Sequence, residues 1–332
     1  MRPPSLALAL VGAAVLLAAC GGGGADVPEP SSTPTTSSTS SSPTPSTTAT
    51  AEPAGHLPLT GVGVSSVAAT TRPAVGVAVQ MVPGARLSGI STADLVYVEF
   101  DRARHARLIA MYQSADAASV GPVTATSPVD PRLLTLFGMP AFGFDGGPTG
   151  FVAVAKPPAL NPRDAAGSYR SLFRGGAGGL VVSTTALRAS VRGGAPPMAG
   201  VLTFASDVAP APTGPTSLRR IVVSVPGQAP ITFAWSGGGW SGPGGSWLAN
   251  VVVQYVPYKT ITPHKSVAVR SAVVVGSGTA KVFAGQHGAS TTWSRQFPGI
   301  VTVYAAGAHP VGLLPGRTWV LLVPTGTQVA AS

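Results

Sequence analysis

The sequence predicts an α+β fold that is rich in β-strands. After residue 57 most segments are short runs of β-branched and aromatic residues, separated by turns that contain Gly and Pro. Few helical patterns interrupt them. The clearest covers residues 131–137, begins with Pro131 and ends at Gly138. Many strands with a few helices favour α+β layers over a doubly wound sheet.

In the first half of this region, residues 74–82 form a β-branched run between two prolines and predict a strand. Residues 91–94 resemble a helix N-cap that opens only a short turn. Residues 95–101 and 107–113 alternate as strands, and residues 102–106 between them predict a hairpin turn. These two strands should therefore pair.

Residues 156–179 are rich in Pro, Gly and Arg and predict a long surface loop. A strand at 180–182 and a helix at 184–191 follow it. The remaining predicted strands are 220–225, 231–235, 247–255, 267–276, 280–284, 291–295, 301–304 and 318–323.

The start of the chain predicts an export signal. A short positive segment precedes an apolar stretch, residues 6–17, that is shorter than the ~20 residues needed to span a bilayer. The stretch ends in Leu17-Ala18-Ala19-Cys20, which resembles the lipobox of bacterial lipoproteins. Residues 1–20 are therefore interpreted as a lipoprotein signal peptide with Cys20 as the lipidated residue. The alternative is an ordinary signal peptide with an incidental cysteine.

Cys20 is the only cysteine, so no internal disulfide can form. Residues 21–56 are rich in Ser, Thr and Pro with few large apolar side chains, which predicts a disordered linker biased toward extended polyproline II. The rest divides into an N-terminal part at 57–204, a Pro-rich connection at 205–217 and a C-terminal β-rich part at 218–326.

The region after the linker is strongly basic. Without Arg2, 20 of the 21 basic residues remain, and without Asp26, Glu29 and Glu52, 8 of the 11 acidic ones remain, so its net charge is +12. Such a domain is attracted to anionic surfaces, including phospholipid headgroups and phosphate-bearing wall polymers. Nucleic acid is not expected as a partner outside the cytoplasm. The alternative is that the excess charge is spread thinly. High Ala, Gly, Pro, Val and Arg indicate a GC-rich, actinobacterial genome.

Glu99 and Asp101 are the strongest candidate carboxylate pair. Two residues apart on a strand, they point to the same face about 6.6 Å apart, a spacing that overlaps the range of roughly 6.5–9.5 Å found in inverting glycosidases. Tyr97 shares that face. The alternative is an exposed strand face on which Arg107 and its neighbours pair with both carboxylates.

Asp145 precedes two glycines, either in a loop that presents an acid or in an ordinary turn. The histidines are scattered without metal-ligand spacing, and no nucleophile motif or phosphate loop is found. No catalytic residue, metal or cofactor is therefore predicted. Trp235, Trp240 and Trp247 form an exposed aromatic platform for a glycan, or they pack in the core and flank hairpins, which explains them equally well.

Several segments together resemble the YerB-like lipoproteins, the family defined by the DUF3048 domain. They occur in the family's order and spacing over residues 59–324. The segments are Leu59-Thr60-Gly61, Arg72-Pro73-Ala74-Val75, Ser88 to Tyr97, Arg107 to Ser114, Gly121-Pro122-Val123, Asn250 to Gln254, Gly276 to Ala280 and Gly316-Arg317-Thr318-Trp319. The resemblance implies a layered β/β/α sandwich-like domain in two sub-parts, and it implies no chemistry.

This chain also departs from the family pattern. The family's Arg-Ser-Ala-Arg after Gly-Pro-Val is Thr124-Ala125-Thr126-Ser127 here, so both guanidinium groups are missing. The family's Glu after the tyrosine is Val98, and Phe144 and Asp145 replace a histidine before the glycine pair. A His-Asn-Leu-Tyr segment is Gly179-Leu180-Val181-Val182. Arg107 is retained.

These observations favour a membrane-anchored lipoprotein on the extracytoplasmic face of the cell membrane. Its folded part is expected to be a non-catalytic binding or assembly module for an anionic wall polymer or an envelope protein. One alternative is a glycan hydrolase that uses Glu99 and Asp101. Another is a carrier that holds a small anionic ligand through Arg107, with Tyr97, Glu99, Asp101 and Asp145 as further candidate ligand-binding residues.

Overall fold

A computed structural model of the protein describes residues 53–84, 86–102, 105–148, 151–152, 160–205, 211–262 and 267–332. The predicted signal peptide, its Cys20 and the predicted linker up to residue 52 lie outside the described residues. The last two positions of that linker, Gly55–His56, pair as a strand with Gly63–Val64. The folded region therefore begins just before residue 57.

Short strands make up most of the described chain. Those of the first half are β1 (Gly55–His56), β2 (Gly63–Val64), β3 (Val75–Met81), β4 (Leu95–Arg102), β5 (His105–Tyr112), β6 (Ala141–Phe144), β7 (Asn161–Asp164), β8 (Phe173–Gly176) and β9 (Gly179–Val182). Those of the second half are β10 (Arg220–Ser224), β11 (Ile231–Ser236), β12 (Gly239–Gly242), β13 (Ser246–Leu248), β14 (Asn250–Val256), β15 (Tyr258–Ile261), β16 (Val269–Ala272), β17 (Gly276–Ala284), β18 (His287–Arg295), β19 (Val303–Ala306), β20 (His309–Pro310), β21 (Thr318–Pro324) and β22 (Gln328–Ala331).

The helices are short. They are α1 (Val67–Thr70), α2 (Asp130–Leu134) and α3 (Thr184–Ala189), with 3₁₀ turns at Ile90–Thr92, Thr135–Phe137, Arg170–Leu172 and Pro243–Gly245. As predicted, α2 has a proline in its first turn, and the 3₁₀ turn after it ends at Gly138 with a φ of 70°. None of the helices in the described ranges has the length and apolar character needed to cross a bilayer.

Eleven strands form one large sheet in the order β20-β19-β18-β17-β14-β21-β4-β5-β3-β6-β7. The predicted hairpin is confirmed, because β4 and β5 pair antiparallel. Strand β21 pairs parallel with β4 on one side and with β14 on the other. The two sequence sub-parts therefore share a single sheet, and they meet between β21 and β4.

A second sheet of five strands, in the order β13-β12-β11-β10-β22, packs on one face of the large sheet. Its Phe233 meets Trp319 of β21 edge-on, with ring centroids 5.8 Å apart. The opposite face packs against α2 and the turn after it, where Leu133 and Phe137 contact the side of the sheet that carries Leu95. These layers confirm a β-rich α+β sandwich with β/β/α order.

Residues 160–179 are not the continuous loop that the sequence predicts. They contain β7 and β8, and β7 adds to the large sheet beside β6. Pro162 is accommodated because β7 is the last strand of the sheet, where a missing N–H costs no ladder bond. Prolines weaken a strand pattern in sequence, and the edge position that permits one appears only in the fold.

Residues 247–255 are not one strand either. The chain breaks at Ala249, so that β13 belongs to the small sheet and β14 to the large one. The Ala249 N–H donates to the Arg317 carbonyl at 3.0 Å, and its own carbonyl accepts from Gly285 at 3.0 Å. Ala249 is therefore the point at which the chain crosses from one layer to the other.

The turn at residues 90–92 forms, but the predicted side-chain cap does not. Gly89 occupies the cap position with a φ of 71° and no side-chain capping bond. Asp94 instead accepts the backbone N–H groups of Gln113 and Ser114 at 2.5 and 2.7 Å. Its carboxylate thus ties the start of β4 to the end of β5.

Candidate functional site

The candidate residues on β4 lie where β4 pairs with β5. Glu99 is directly opposite Arg107, and the pairing becomes irregular between Glu99 and Arg102. Tyr97 borders the core that faces α2, whereas Val98 packs in the core on the opposite face. Strand alternation therefore places Tyr97 and Glu99 on the α2 side of the sheet, together with Arg107.

Arg107 is held inside the protein by Asp130. Its two terminal nitrogens donate to the two Asp130 oxygens at 2.7 and 2.5 Å, and its Nε donates to the Ala125 carbonyl at 2.8 Å. Asp130 also accepts from the Thr126 hydroxyl at 2.9 Å and the Ser127 N–H at 2.8 Å. Both charged side chains are 5% exposed or less. This bidentate pair fastens α2 to the large sheet.

Glu99 is fully buried beside this pair. Its Oε1 accepts the Ala272 N–H at 3.1 Å, whereas Oε2 lies 3.7 Å from Arg107 Nη1 and has no hydrogen-bond partner among the described residues. Burial raises the pKa of Glu99 from 4.5 to about 8; Arg107 opposes the rise, and Asp101 and Asp130 add to it. Glu99 therefore holds its proton at neutral pH.

The hairpin of β15 and β16 closes this end of the sheet. Besides the Glu99 contact to Ala272, the Tyr258 hydroxyl accepts the Phe100 N–H at 2.9 Å and donates to the Leu322 carbonyl at 2.5 Å. It bridges β4 and β21 just where their direct pairing ends at Glu99 and Leu322. The candidate carboxylate is thus covered by a second layer of chain.

The other predicted site residues are spread around this cluster. Asp101 is 9% exposed and close enough for its charge to raise the Glu99 pKa. Tyr97 is half-buried, and burial raises its pKa. Asp145 follows β6 and donates its N–H to the Thr124 carbonyl at 2.8 Å. No interaction among the described residues joins the Asp145 carboxylate to Glu99 or Arg107.

Sequence reasoning missed a second buried cation, Arg295. It is 2% exposed, donates to the Arg132 carbonyl at 2.7 Å and to the Pro298 carbonyl, and leaves its Nε unpartnered. Burial lowers its pKa, and the hydroxyls of Tyr97 and Tyr304 oppose this change. In the described ranges it has no carboxylate within ion-pair distance. Strand periodicity alone could not distinguish it from an exposed arginine.

The three tryptophans have different environments. Trp240 is fully buried, donates to the Gly285 carbonyl at 2.8 Å and meets the half-buried Trp235 edge-on at 5.2 Å. Trp247 is 43% exposed. The platform of three rings is therefore wrong, because hairpin alternation turns Trp240 inward and Trp247 outward.

Chemically, the cluster on β4 and β5 is an internal ionic network. Arg107 supplies one positive charge to Asp130 and Glu99, and the covering hairpin leaves Glu99 no exposed surface. The described ranges also hold no group of three or more His, Cys, Asp or Glu side chains arranged to bind a metal ion.

Replacing Arg107 with Leu should destabilise the fold by about 3–5 kcal/mol, because it leaves the Asp130 charge buried without a partner. Urea unfolding of the purified domain measures the change. The matched control is Arg132→Leu on α2, the helix that carries Asp130, at an exposed position where the change should stay within about 0.5 kcal/mol. Equally small losses in the free energy of unfolding of both variants would contradict a buried ion pair between Arg107 and Asp130.

Stability should fall as pH rises through the Glu99 titration. The folded-state pKa of about 8 exceeds the unfolded value of 4.5, so the folded state binds the extra proton between these values. Stabilisation is complete below pH 4.5 and declines toward pH 8, by at most about 1.4 kcal/mol per pH unit.

In Glu99→Gln this decline should vanish, since Gln does not titrate. Urea unfolding at pH 5 to 8 gives the free energy of unfolding of Glu99→Gln and of the wild type. The control is Asp116→Asn, which removes a carboxyl whose pKa is lowered and should keep the wild-type decline. A Glu99→Gln curve that keeps the wild-type slope would show that Glu99 is ionised in the fold.

Family models match most of the folded region. The N-terminal domain of a protein of unknown function (DUF3048) matches residues 59–193, and the corresponding C-terminal domain matches residues 245–320. The crystal structure of YerB protein from Bacillus subtilis has the same fold: its TM-score is 0.67 at 19% identity, over 83% of this chain and 99% of YerB. No curated protein matches significantly. The chain belongs to the DUF3048 family, in which YerB-like proteins share this layered domain.

Proposed function

We propose that the protein is a lipoprotein anchored through Cys20 on the extracytoplasmic face of the cell membrane. Its folded domain binds an anionic envelope component, a wall polymer or a membrane partner, and performs no catalysis. The lipobox-like Leu17-Ala18-Ala19-Cys20 after an apolar leader supports the anchor. The distribution of charge in the folded domain supports the binding role.

The observation that carries the proposal is that the carboxylates are used internally. Asp94, Glu99 and Asp130 are fully buried, and Asp101 is 9% exposed. The exposed Asp116 is paired with both Arg72 and Arg188.

Basic side chains, by contrast, remain at the surface. The exposed ones are Arg86, Arg132, Arg170, Arg174, Arg192, Arg219, Arg220, Lys259 and Arg270. Among the acidic residues that the structure describes, Asp116 is exposed and Asp145 and Asp164 are half-buried, so the solvent-facing charge is predominantly positive, and such a surface attracts polyanions.

Three of these residues, Arg170, Arg174 and Arg192, form what we call the arginine patch. Arg174 donates to the Ala118 carbonyl at 3.0 Å, two residues from the Asp116 that binds Arg188 of α3. Arg192 lies three residues after the end of α3, and Arg170 begins the turn that precedes β8. Arg163 donates to the hydroxyl and carbonyl of Ser190 and lies over the Tyr169 ring, and Arg170 donates to the Phe173 carbonyl, so the segments that carry the three arginines are neighbours.

The hydrolase and carrier alternatives receive less support. A glycan cannot reach Glu99 in this conformation because the side chain is completely buried. A ligand gripped by Arg107 would have to displace Asp130 from a bidentate pair with bonds of 2.7 and 2.5 Å. Arg170, Arg174 and Arg192 have no ion pair with a carboxylate among the described residues, so the surface is the better place for an anionic partner.

Changing Cys20 to Ser should move the protein from the membrane fraction to the soluble extracytoplasmic fraction, because the acyl chain can no longer be attached. Fractionation followed by immunoblotting measures the shift. Ser5→Ala in the same leader is the control and should remain in the membrane fraction. Retention of Cys20→Ser with the membrane would exclude a lipid anchor at this residue.

Reversing the arginine patch, as Arg170→Glu, Arg174→Glu and Arg192→Glu, should weaken cosedimentation with purified cell wall by about tenfold or more. Wild-type binding should also fall as salt rises, since surface charges are screened beyond about 8 Å at 0.15 M ionic strength. The control is the triple Arg86→Glu, Arg219→Glu and Arg220→Glu, which changes the net charge equally. Wild-type binding that does not change with ionic strength would contradict the electrostatic role. Equal losses of binding in the two triple variants would contradict a specific role of the arginine patch.

A further inference from the structure

A cavity of about 390 Å³ lies between β13 and the segment that leads into β21. Its wall contains four polar or charged side chains, Thr60, Asp94, Ser114 and Arg317, and the exposed ring of Trp247. This volume lies within the ~300–1,000 Å³ of small-molecule sites. We call it the Trp247 cavity.

The Trp247 cavity is built from both family domains. Thr60, Asp94 and Ser114 belong to the range matched by the N-terminal domain, whereas Trp247 and Arg317 belong to the range of the C-terminal domain. Neither domain could form it alone. Ligand sites occur preferentially at such junctions, where concave surfaces arise.

Backbone hydrogen bonds hold the walls in place. The Gly316 N–H donates to the Thr60 carbonyl at 2.7 Å, and the Thr318 N–H donates to the Asp94 carbonyl at 3.0 Å. On the other side the Ala249 N–H donates to the Arg317 carbonyl at 3.0 Å. The cavity is therefore formed without a ligand, and binding would require little rearrangement.

Trp247 presents a fixed aromatic surface. Its neighbours on β13, Ser246 and Leu248, are buried, so alternation directs the indole outward. One side of the ring covers the start of β12: a Cβ on Gly239 would lie 2.4 Å from the indole Nε1. The ring is thus supported on glycine backbone, and its exposed surface lines the cavity.

Arg317 is the positive charge of the cavity. Its guanidinium makes no hydrogen bond or ion pair with the described residues, but its charge acts on Asp94 and opposes the rise that burial causes in the pKa of that carboxyl. Asp94 does not take it up, because Oδ2 accepts the N–H groups of Gln113 and Ser114 and Oδ1 accepts the Ser114 hydroxyl. A half-buried guanidinium next to a satisfied carboxylate can accept an anion from a ligand.

We propose that the Trp247 cavity binds a sugar ring that carries a phosphate or carboxylate group. The apolar face of the ring stacks on Trp247, and the anionic group accepts hydrogen bonds from Arg317. A cationic ligand is disfavoured because Arg317 repels it and the Asp94 oxygens are already occupied. The proposal deepens the proposed binding role and rests on it, since it names the unit of an envelope polymer that the domain would recognise.

Titration calorimetry of the full chain with N-acetylglucosamine 1-phosphate and with glucuronic acid tests the proposal and separates the two anionic groups. Saturable binding of either is expected, and Trp247→Ala and Arg317→Gln should each weaken it at least tenfold. The affinity for inorganic phosphate should fall only in Arg317→Gln. The affinity for neutral N-acetylglucosamine should fall only in Trp247→Ala. Phe297→Ala and Arg219→Gln, exposed residues of the same types elsewhere, are the controls.

No saturable wild-type binding to either sugar acid, or equal affinity in Trp247→Ala, Arg317→Gln and their controls, would overturn the proposal. Thermal melts confirm that the variants fold. The arginine patch triple should bind the sugar acids normally while losing cell-wall cosedimentation. If the wild type does not bind cell wall, the proposed function is wrong. If the wild type binds cell wall but no sugar acid, only the ligand proposed for the Trp247 cavity is wrong.

Discussion

The guanidinium of Arg107 lies inside the protein and faces two carboxylates, Asp130 and Glu99. One positive charge cannot neutralise two negative charges in a medium of low dielectric constant. Asp130 takes both terminal nitrogens, so Glu99 remains protonated and its pKa rises to about 8. The large sheet, α2 and the hairpin of β15 and β16 all meet at this group of three. Their packing depends on how its charge is balanced.

The burial of carboxylates also affects the net charge of the protein surface. The chain has few carboxylates, and those at Asp94, Glu99 and Asp130 serve internal hydrogen bonds. The arginines therefore have few acidic neighbours outside the core. Because the buried carboxylates do not neutralise them, the surface carries a net positive charge. An enzyme needs titratable groups that reach a substrate. In this domain a covering hairpin leaves Glu99 no exposed surface, which supports the proposed binding role.

Local pattern predicted the parts of the fold that depend on neighbouring residues. The hairpin of β4 and β5 followed from alternation, and α2 followed from Pro131 and Gly138. Partners distant in sequence could not be read in this way. Asp130 is 23 residues from Arg107, and Ala272 is 173 from Glu99, so only the tertiary fold joins them.

Two further errors have the same cause. Ala249 continues a β pattern on both sides, yet it crosses between two sheets. The tryptophans were close in sequence, but alternation across β12 and β13 separates buried Trp240 from exposed Trp247. Whether a side chain lies in a core or lines a cavity depends on the layer placed above it. The sequence pattern does not contain that information.

Glu99 offers the most direct test of this account. The chain contains three glutamates, so isotope labelling of glutamate carboxyls yields three NMR signals, and the Glu99→Gln variant identifies one of them. A carboxyl carbon that titrates near pH 8 is expected for Glu99, because the residue is buried beside an already occupied arginine. Titration near its ordinary value of 4.5 would instead mean that Glu99 is solvated and open to a substrate, and the internal network would not exist as described.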